Sequence, residues 1–447
     1  MSKCMKFLTF VLILALCMTG ASALAATEVS DAAAFKAAVE AGDSVVLAGD
    51  ITLTELLKIQ GKTLSIDLNG HTLFMPKGDN QIIGGADVTI SGGTVDISNG
   101  VANGNAYINI GSDSTTCKLT LKDMTFTGTD YSSAFGVFYI YEQSTLNIDH
   151  SNVILSGDKS TPGGVIKEKD GMTAFVNITN NSVLDFTNAK IGILGGTILL
   201  QNSQLNVTGG DNAINSNSSY VLHLTVDNSQ VKLQNGTGGS GMKLRGGSTA
   251  TVKNGSTFEI SGFDTPGETD LVFDATGKLS IDDTSYVAYN TISCPADVLD
   301  SVIDADIVNL TEEDIANHVL AVAYTVTYTD GVADETIFAD EVYQVYGGKQ
   351  TPKFTGSTNR DGYNFDGWKP AMKEKVDGTI TYEAIWTKDE PEVTPTPAAP
   401  AAPVAPTATP APAPKTGDST NLALWMGLMV ISGMVLLGLG KKAKAGK

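Results

Sequence analysis

The chain has 447 residues, of which 42% are hydrophobic and 17% charged, and its formal net charge is −20. That is enough apolar material for a sizeable core, and the length is a prior for two or three domains. Its arginines are Arg245 and Arg360, and so acidic and arginine-poor a chain excludes a nucleic-acid binder, which must neutralise phosphates with cations.

Residues 1–25 read as a secretory leader. Lys3 and Lys6 supply a positive start, Phe7 to Met18 an apolar run, and Ala23-Leu24-Ala25 a small-x-small site with cleavage after Ala25. The run is too short to span a membrane comfortably. Beyond the leader the cysteines are Cys117 and Cys294. Two so far apart are no disulfide framework. Two small hydrophobes are the plainer reading, and a single bridge is the alternative.

Ser30 to Ala41 predicts a short helix. Ser30 or Asp31 can cap its start and Gly42 its end, while Ala32, Phe35, Ala38 and Val39 share one face. Val45 to Leu53 then leads into a repeat. In Leu224 to Leu233, LTVDNSQVKL, apolar residues stand at −2, 0, +5 and +7 relative to Val226, with four polar residues between. The template recurs at Ile66/Leu68/Leu73/Met75, Val88/Ile90/Val95/Ile97, Leu146/Ile148/Val153/Leu155 and Ile198/Leu200/Leu205/Val207. Partial matches centre on Leu121, Ile178, Val252 and Ile281, and the zero positions fall 22 to 31 residues apart.

Alternation with period 2 means strands with one face inward, and repetition at this interval means a solenoid. The four-residue links are rich in Asn, Gly and Asp, which tolerate a left-handed corner. Asn180, Asn202, Asn228 and Asn254 occupy one corner position in successive repeats and predict an asparagine ladder holding the register. Hairpin turns in an antiparallel sandwich are the competing reading. The helix covers one open end of the coil. Residues 27–290, with the opening GKTLSIDLNGHTL, resemble the pectate-lyase-like β-helices of bacterial surfaces, which implies a right-handed parallel winding over a domain at 26–290.

Relatives of that shape often cleave acidic polysaccharides, which takes clustered carboxylates and a base, or a carboxylate pair. Here Gly210-Asp211-Asn212 only faintly resembles a polygalacturonase motif, because Asn212 replaces its second acid. Asp282 and Asp283 stand in a corner. Asp264, Glu268, Asp270 and Asp274 could gather around a calcium ion, although solvated loop acids are the plainer reading. His71, His150, His223 and His318 are scattered. The expectation is no catalytic site, no metal site and no cofactor.

Residues 291–323 break the repeat and read as a connector with some helix. From Tyr324 a different unit begins, with Tyr343, Val345, Tyr346, Phe354, Arg360-Asp361-Gly362-Tyr363, Phe365, Gly367-Trp368 and Trp386 in order. Residues 324–387 resemble the Listeria–Bacteroides repeat of the internalin B-repeat type, implying a small β-grasp-like domain. Its aromatics make either a ligand platform or the core of a domain short of aliphatics.

Residues 388–413, with Pro414, hold nine of the fifteen prolines and predict an extended spacer of up to ~80 Å at ~3.1 Å per residue. Pro414-Lys415-Thr416-Gly417-Asp418 follows, then an apolar run over 421–440 that matches a transmembrane helix, then the basic tail 441–447, which stays cytoplasmic. Together these resemble the LPxTG-type sorting signal of Gram-positive cell-wall proteins. The resemblance implies that a sortase cysteine attacks the carbonyl of Thr416, that Gly417 leaves, and that peptidoglycan takes the new end. Ala413 replaces the usual leucine, which leaves the sortase subclass open. The expected whole is an all-β, wall-anchored surface protein, inserted in the membrane before sorting. It serves as an adhesin or display protein for host or environmental glycan or protein. A polysaccharide lyase or hydrolase on the same fold, and a spacer that binds nothing, are the alternatives.

Overall fold

A computed structural model describes residues 26–98, 106–131, 135–157, 164–169, 173–236, 238–263, 269–295 and 319–389. The leader with Ala25, most of the connector, His318, Asp264 and Glu268 lie outside the described residues. So do the proline-rich stretch, Pro414, Lys415, Thr416, Gly417 and the apolar run. Among the described residues no helix is long and apolar enough to cross a membrane.

Strands over Thr27–Ser293 form three parallel sheets that wind into a β-solenoid of about eight turns. Each coil contributes one strand to each sheet in turn, so every strand hydrogen-bonds to its counterparts one coil before and one coil after. Parallel neighbours rule out the hairpin alternative. The first sheet stacks the repeat's zero positions: Ile90, Leu121, Ile148, Ile178, Leu200, Val226, Val252 and Ile281 are successive register partners. The second stacks Leu73, Val95, Phe126, Val153, Leu184, Leu205, Val231, Phe258 and Val287. All are buried. Each alternates with an outward polar neighbour, so one face of every strand builds a continuous dry interior.

Two details differ from the repeat as read. In the first coil Ile66, not Leu68, pairs with Ile90. Leu68 turns inward at the corner itself, where Asn69 and Gly70 both take positive φ, so that corner is longer than the template. The coils at Ile178, Val252 and Ile281 carry one extra corner residue before Leu184, Phe258 and Val287, which is why they match only in part.

The helix forms over Ala32–Ala41. Asp31 accepts from the Ala34 N–H at 2.9 Å, Gly42 ends the helix at φ 88°, and Phe35, Ala38 and Val39 are buried against the first coil. At the other end Val319–Ala321 pairs antiparallel with Tyr286–Ala288 and covers the last strand of the second sheet, which would otherwise be an open edge.

The chain then enters a four-stranded sheet in the order Glu341–Tyr346, Ala323–Thr329, Ile380–Lys388, Tyr363–Lys369, with a parallel central pair and antiparallel outer pairs. Tyr328 and Tyr382 are buried at its centre and stack at 5.3 Å, with Phe354 and Trp368 against Tyr328 at 5.7 and 4.8 Å. These rings are the unit's core and not an exposed platform. Gly347 and Gly348 lie against the last solenoid corner, where a Cβ on either would strike the backbone oxygens of Asp283 or Thr284.

Candidate functional site

The corner between the first and second sheets carries the candidate site. Its apex residues Asp123, His150, Asn180, Asn202, Asn228 and Asn254 all have φ between 45° and 58°. This left-handed backbone lets the chain reverse in very few residues, and Asn and Asp adopt it at least cost among residues with a side chain. Main-chain bonds join one apex to the next coil: His150 N–H to Thr179 O at 3.2 Å, Asn202 N–H to Asp227 O at 3.0 Å, and Asn228 N–H to Lys253 O at 3.1 Å.

The four asparagines lie in register, but their amides do not form an unbroken chain. Asn228 Nδ2 donates to Asn202 Oδ1 at 2.7 Å, whereas Asn180 and Asn254 each donate to an aspartate, Asp149 and Asp227, at 2.6 Å. A second ladder lies just inside the first. Ser151, Ser182, Ser203, Ser229, Ser256 and Ser285 are buried. The Oγ of Ser182 accepts from Ser151 N–H, Ser229 from Ser203, Ser256 from Ser229 and Ser285 from Ser256, all at 3.0–3.1 Å. Several hydroxyls donate in turn to a carbonyl of their own corner, as Ser229 does to Asp227 O at 2.8 Å. Each hydroxyl thus satisfies an amide that the tight corner would leave unbonded. The sequence carries this signal as a serine in six successive corners, next to the asparagine, histidine, glycine or threonine that precedes it.

Outside these ladders the corner forms a trough made of two adjoining depressions of about 430 and 410 Å3 that share Asn181. Gly92, Asp123, His150, Asn180, Asn202 and Asn228 follow one another along it, one per coil, spanning about 24 Å at ~4.8 Å per coil. Thr94, Thr125, Asn152, Gln204 and Gln230, at the starts of second-sheet strands, form one wall, and Lys375 of the second unit closes one end. Gln204 and Gln230 were visible as the last letters of the corners QNSQ and DNSQ. Lys375 reaches the site only through the docking of the second unit, with Nζ 2.7 Å from Gly255 O, and nothing local in the sequence marks it.

The trough is polar and largely neutral. Asp123 lies 2.7 Å from His150 Nδ1. Asp227 is held below the usual carboxylate range by the Asn254 amide and, against some burial, by Lys253. Among the described residues the side chains of Asn181, Gln204 and Gln230, the Nδ2 of Asn202 and the Oδ1 of Asn228 meet no hydrogen-bond partner, and these exposed residues line the trough.

Among the described residues the remaining sequence candidates do not converge. Asp282 accepts from the Asn254 and Thr284 N–H groups as a corner carboxylate. Asp270 is buried and accepts from the Phe263 and Asn290 N–H groups. Burial pushes Asp274 up, but the Thr276 hydroxyl and the N–H groups of Gly246, Thr276 and Gly277 outweigh it and hold it at about 2. Asp211 sits 3.9 Å from Lys190, and Arg245 is exposed at a different corner. His71 and His223 are apart, beside Asp50 and Thr249. Among the described residues Cys117 and Cys294 are free thiols. Among the described residues no three His, Cys, Asp or Glu side chains could hold a metal ion. A cavity of about 470 Å3 lies under the N-terminal helix between Phe35, Val39, Leu53 and Leu57, with the Lys36–Glu55 ion pair at its rim. It holds no chemically distinctive group.

Comparison with family models, with curated proteins and with solved structures returns no match to the chain.

Proposed function

We propose that this protein is a wall-anchored surface adhesin or display protein, without catalytic activity of its own, whose solenoid presents the corner trough to an extended ligand. The trough is the observation that carries this reading. It is straight, polar, lined by unused amides, and open along its length, which suits a polymer laid on a rod better than a small molecule held in a pocket. In this reading the coil is right-handed, as in the surface β-helices it resembles, and the second unit is a β-grasp-like stalk. The order of its four strands, with a parallel central pair, supports that assignment.

Anchoring is proposed from the sequence. A leader cleaved after Ala25 brings the chain out. The apolar run over 421–440 holds it in the membrane until a sortase thiolate attacks the Thr416 carbonyl. The Thr416–Gly417 amide breaks and leaves a thioester, which a peptidoglycan amine resolves. The proline-rich spacer then lifts the rod clear of the wall.

The test is cell fractionation together with glycan retention. The protein should be recovered from murein, and Thr416→Ala should shift it, tail intact, to the membrane. An intact tail in the membrane for both forms sinks the anchoring reading. Release of soluble products from a retained polysaccharide would replace the adhesin with an enzyme.

A further inference from the structure

We infer that the trough binds a neutral, linear β-linked polysaccharide whose chain runs along the solenoid axis and whose two-residue repeat spans two coils. This rests on the trough being a ligand site and adds the chemistry and direction of the ligand.

Direction follows from the lattice of donors. The open amides stand one coil apart: Gln204 and Gln230 are register partners on adjacent coils, and so are the corners of Asn202 and Asn228. A ligand lying along the axis meets a polar side chain of the wall on five of six successive coils, in the register Thr94, Thr125, Asn152, Val183, Gln204 and Gln230, at ~4.8 Å per step, whereas one lying across it meets a single rung. In a β-1,4-linked chain alternate sugars are turned over, so its geometry repeats after two residues, and two coils set two rungs ~4.8 Å apart under that repeat. Side-chain amides offer a donor and an acceptor together, which fits the hydroxyls and acetamido groups of such a chain.

Charge excludes the acidic polymers. Asp123, Asp149 and Asp227 line or flank the trough, and the chain as a whole carries a net charge of −20. The cation at its end, Lys375, is already bonded to Gly255 O. His150 and Lys253 lie beside Asp123 and Asp227, so the trough is near neutral and presents a polyanion with no excess of cations to bind it.

Backbone geometry excludes an extended peptide. A peptide adds to a fold by pairing with a free strand edge. Here the corner amides point along the axis into the next coil, as from Asn181 N–H to Asn202 O at 2.7 Å and from Asn202 N–H to Asp227 O at 3.0 Å. They leave no edge to extend, so recognition falls to the side chains. Among the described residues no aromatic ring lines the trough, so each sugar adds a small increment and affinity must come from length.

The experiment titrates the purified full-length protein with β-1,4-linked gluco- and N-acetylgluco-oligosaccharides from the disaccharide upward. Polygalacturonate and a neutral extended peptide are measured alongside. The variant is Gln204→Ala with Gln230→Ala, whose exposed side chains make no hydrogen bond among the described residues. Its melting curve should overlay the parent's. Affinity of the parent should rise with each added disaccharide until the trough is filled. The double variant should bind the longest oligosaccharide about tenfold more weakly, on the scale of one or two hydrogen bonds. Neutral chains that bind both forms equally would overturn the trough assignment and leave the adhesin reading standing. Tighter binding of polygalacturonate or peptide would overturn the ligand class. Failure of every probe would overturn the inference and the trough as a ligand site together.

Discussion

The Lys349 ammonium lies 3.6 Å from the centroid of the Tyr286 ring and 3.5 Å from Glu259 Oε1. Tyr286 and Glu259 belong to the last coils of the solenoid and Lys349 to the second unit, so one cation clamps the two together. The Tyr286 hydroxyl donates to Glu259 at 2.6 Å. That bond, together with Lys349 and Lys232 and against some burial, keeps the Glu259 carboxyl below its ordinary range. Burial and the same bond push the Tyr286 hydroxyl up.

Lys349→Ala should therefore loosen the docking of the second unit without unfolding the solenoid. The expected cost is about 1 kcal/mol, since the ring is buried but the ammonium is partly solvated. Hydrogen exchange should quicken in Val319–Ala321 and Glu341–Tyr346 and stay unchanged in Leu222–Asp227. Uniform quickening along the solenoid would mean that the clamp stabilises the whole coil.

Ser229→Ala tests the inner ladder. It removes the acceptor of the Ser203 N–H at 3.0 Å and the donor to Asp227 O at 2.8 Å, and so strands a buried amide. A loss of ~1–3 kcal/mol in urea unfolding is expected. Gln230→Ala, one residue further on and exposed, should stay within about 0.5 kcal/mol. Equal effects would mean that water reaches the corner and replaces the hydroxyl.

Much of this architecture was legible because each layer leaves its own period. First-sheet and second-sheet strands alternate cleanly, since their outer faces meet solvent, and the corners announced themselves through Asn, Asp and Gly. The third sheet was harder to read. Gly164–Glu168, Phe138–Ile140 and Ile108–Ile110 are buried at every position, and a strand covered on both faces shows no alternation. Tyr139 and Lys167 are register partners there, with the Lys167 ammonium 5.5 Å from the Tyr139 ring and 5.1 Å from that of Tyr220. No spacing rule links Tyr220 to residues two coils earlier. The trough was half legible: its floor lay in the asparagine positions, while its wall and its closed end depend on how coils stack and where the second unit docks.

Asn202→Ala and Asn202→Gly separate backbone from side chain at the corner apex. At φ 50° alanine carries the left-handed penalty of ~1–2 kcal/mol, and both changes lose the bond from Asn228 Nδ2. Glycine should therefore cost less than alanine in urea unfolding. If the two cost the same, the asparagine is kept for its amide and not for its backbone.

Asp274 supplies a pH test with a defined sign. Its folded value is about 2, below the ordinary 3.8, so the folded state favours the carboxylate. The stability this contributes is fully present above about pH 4 and is lost as pH falls through the folded value near 2. Asp274→Asn has no such titration. Its deficit relative to the parent in urea unfolding should be constant from neutral pH down to about pH 4, then shrink toward pH 2 as the parent's carboxylate takes up its proton. Asp274 is half-buried and burial offsets part of the gain from its hydrogen bonds, so the deficit will be modest, but its pH dependence is diagnostic. A deficit that stays flat across that window would mean that the N–H groups of Gly246, Thr276 and Gly277 do not hold the charge in solution. The corner would then be fixed by its backbone alone.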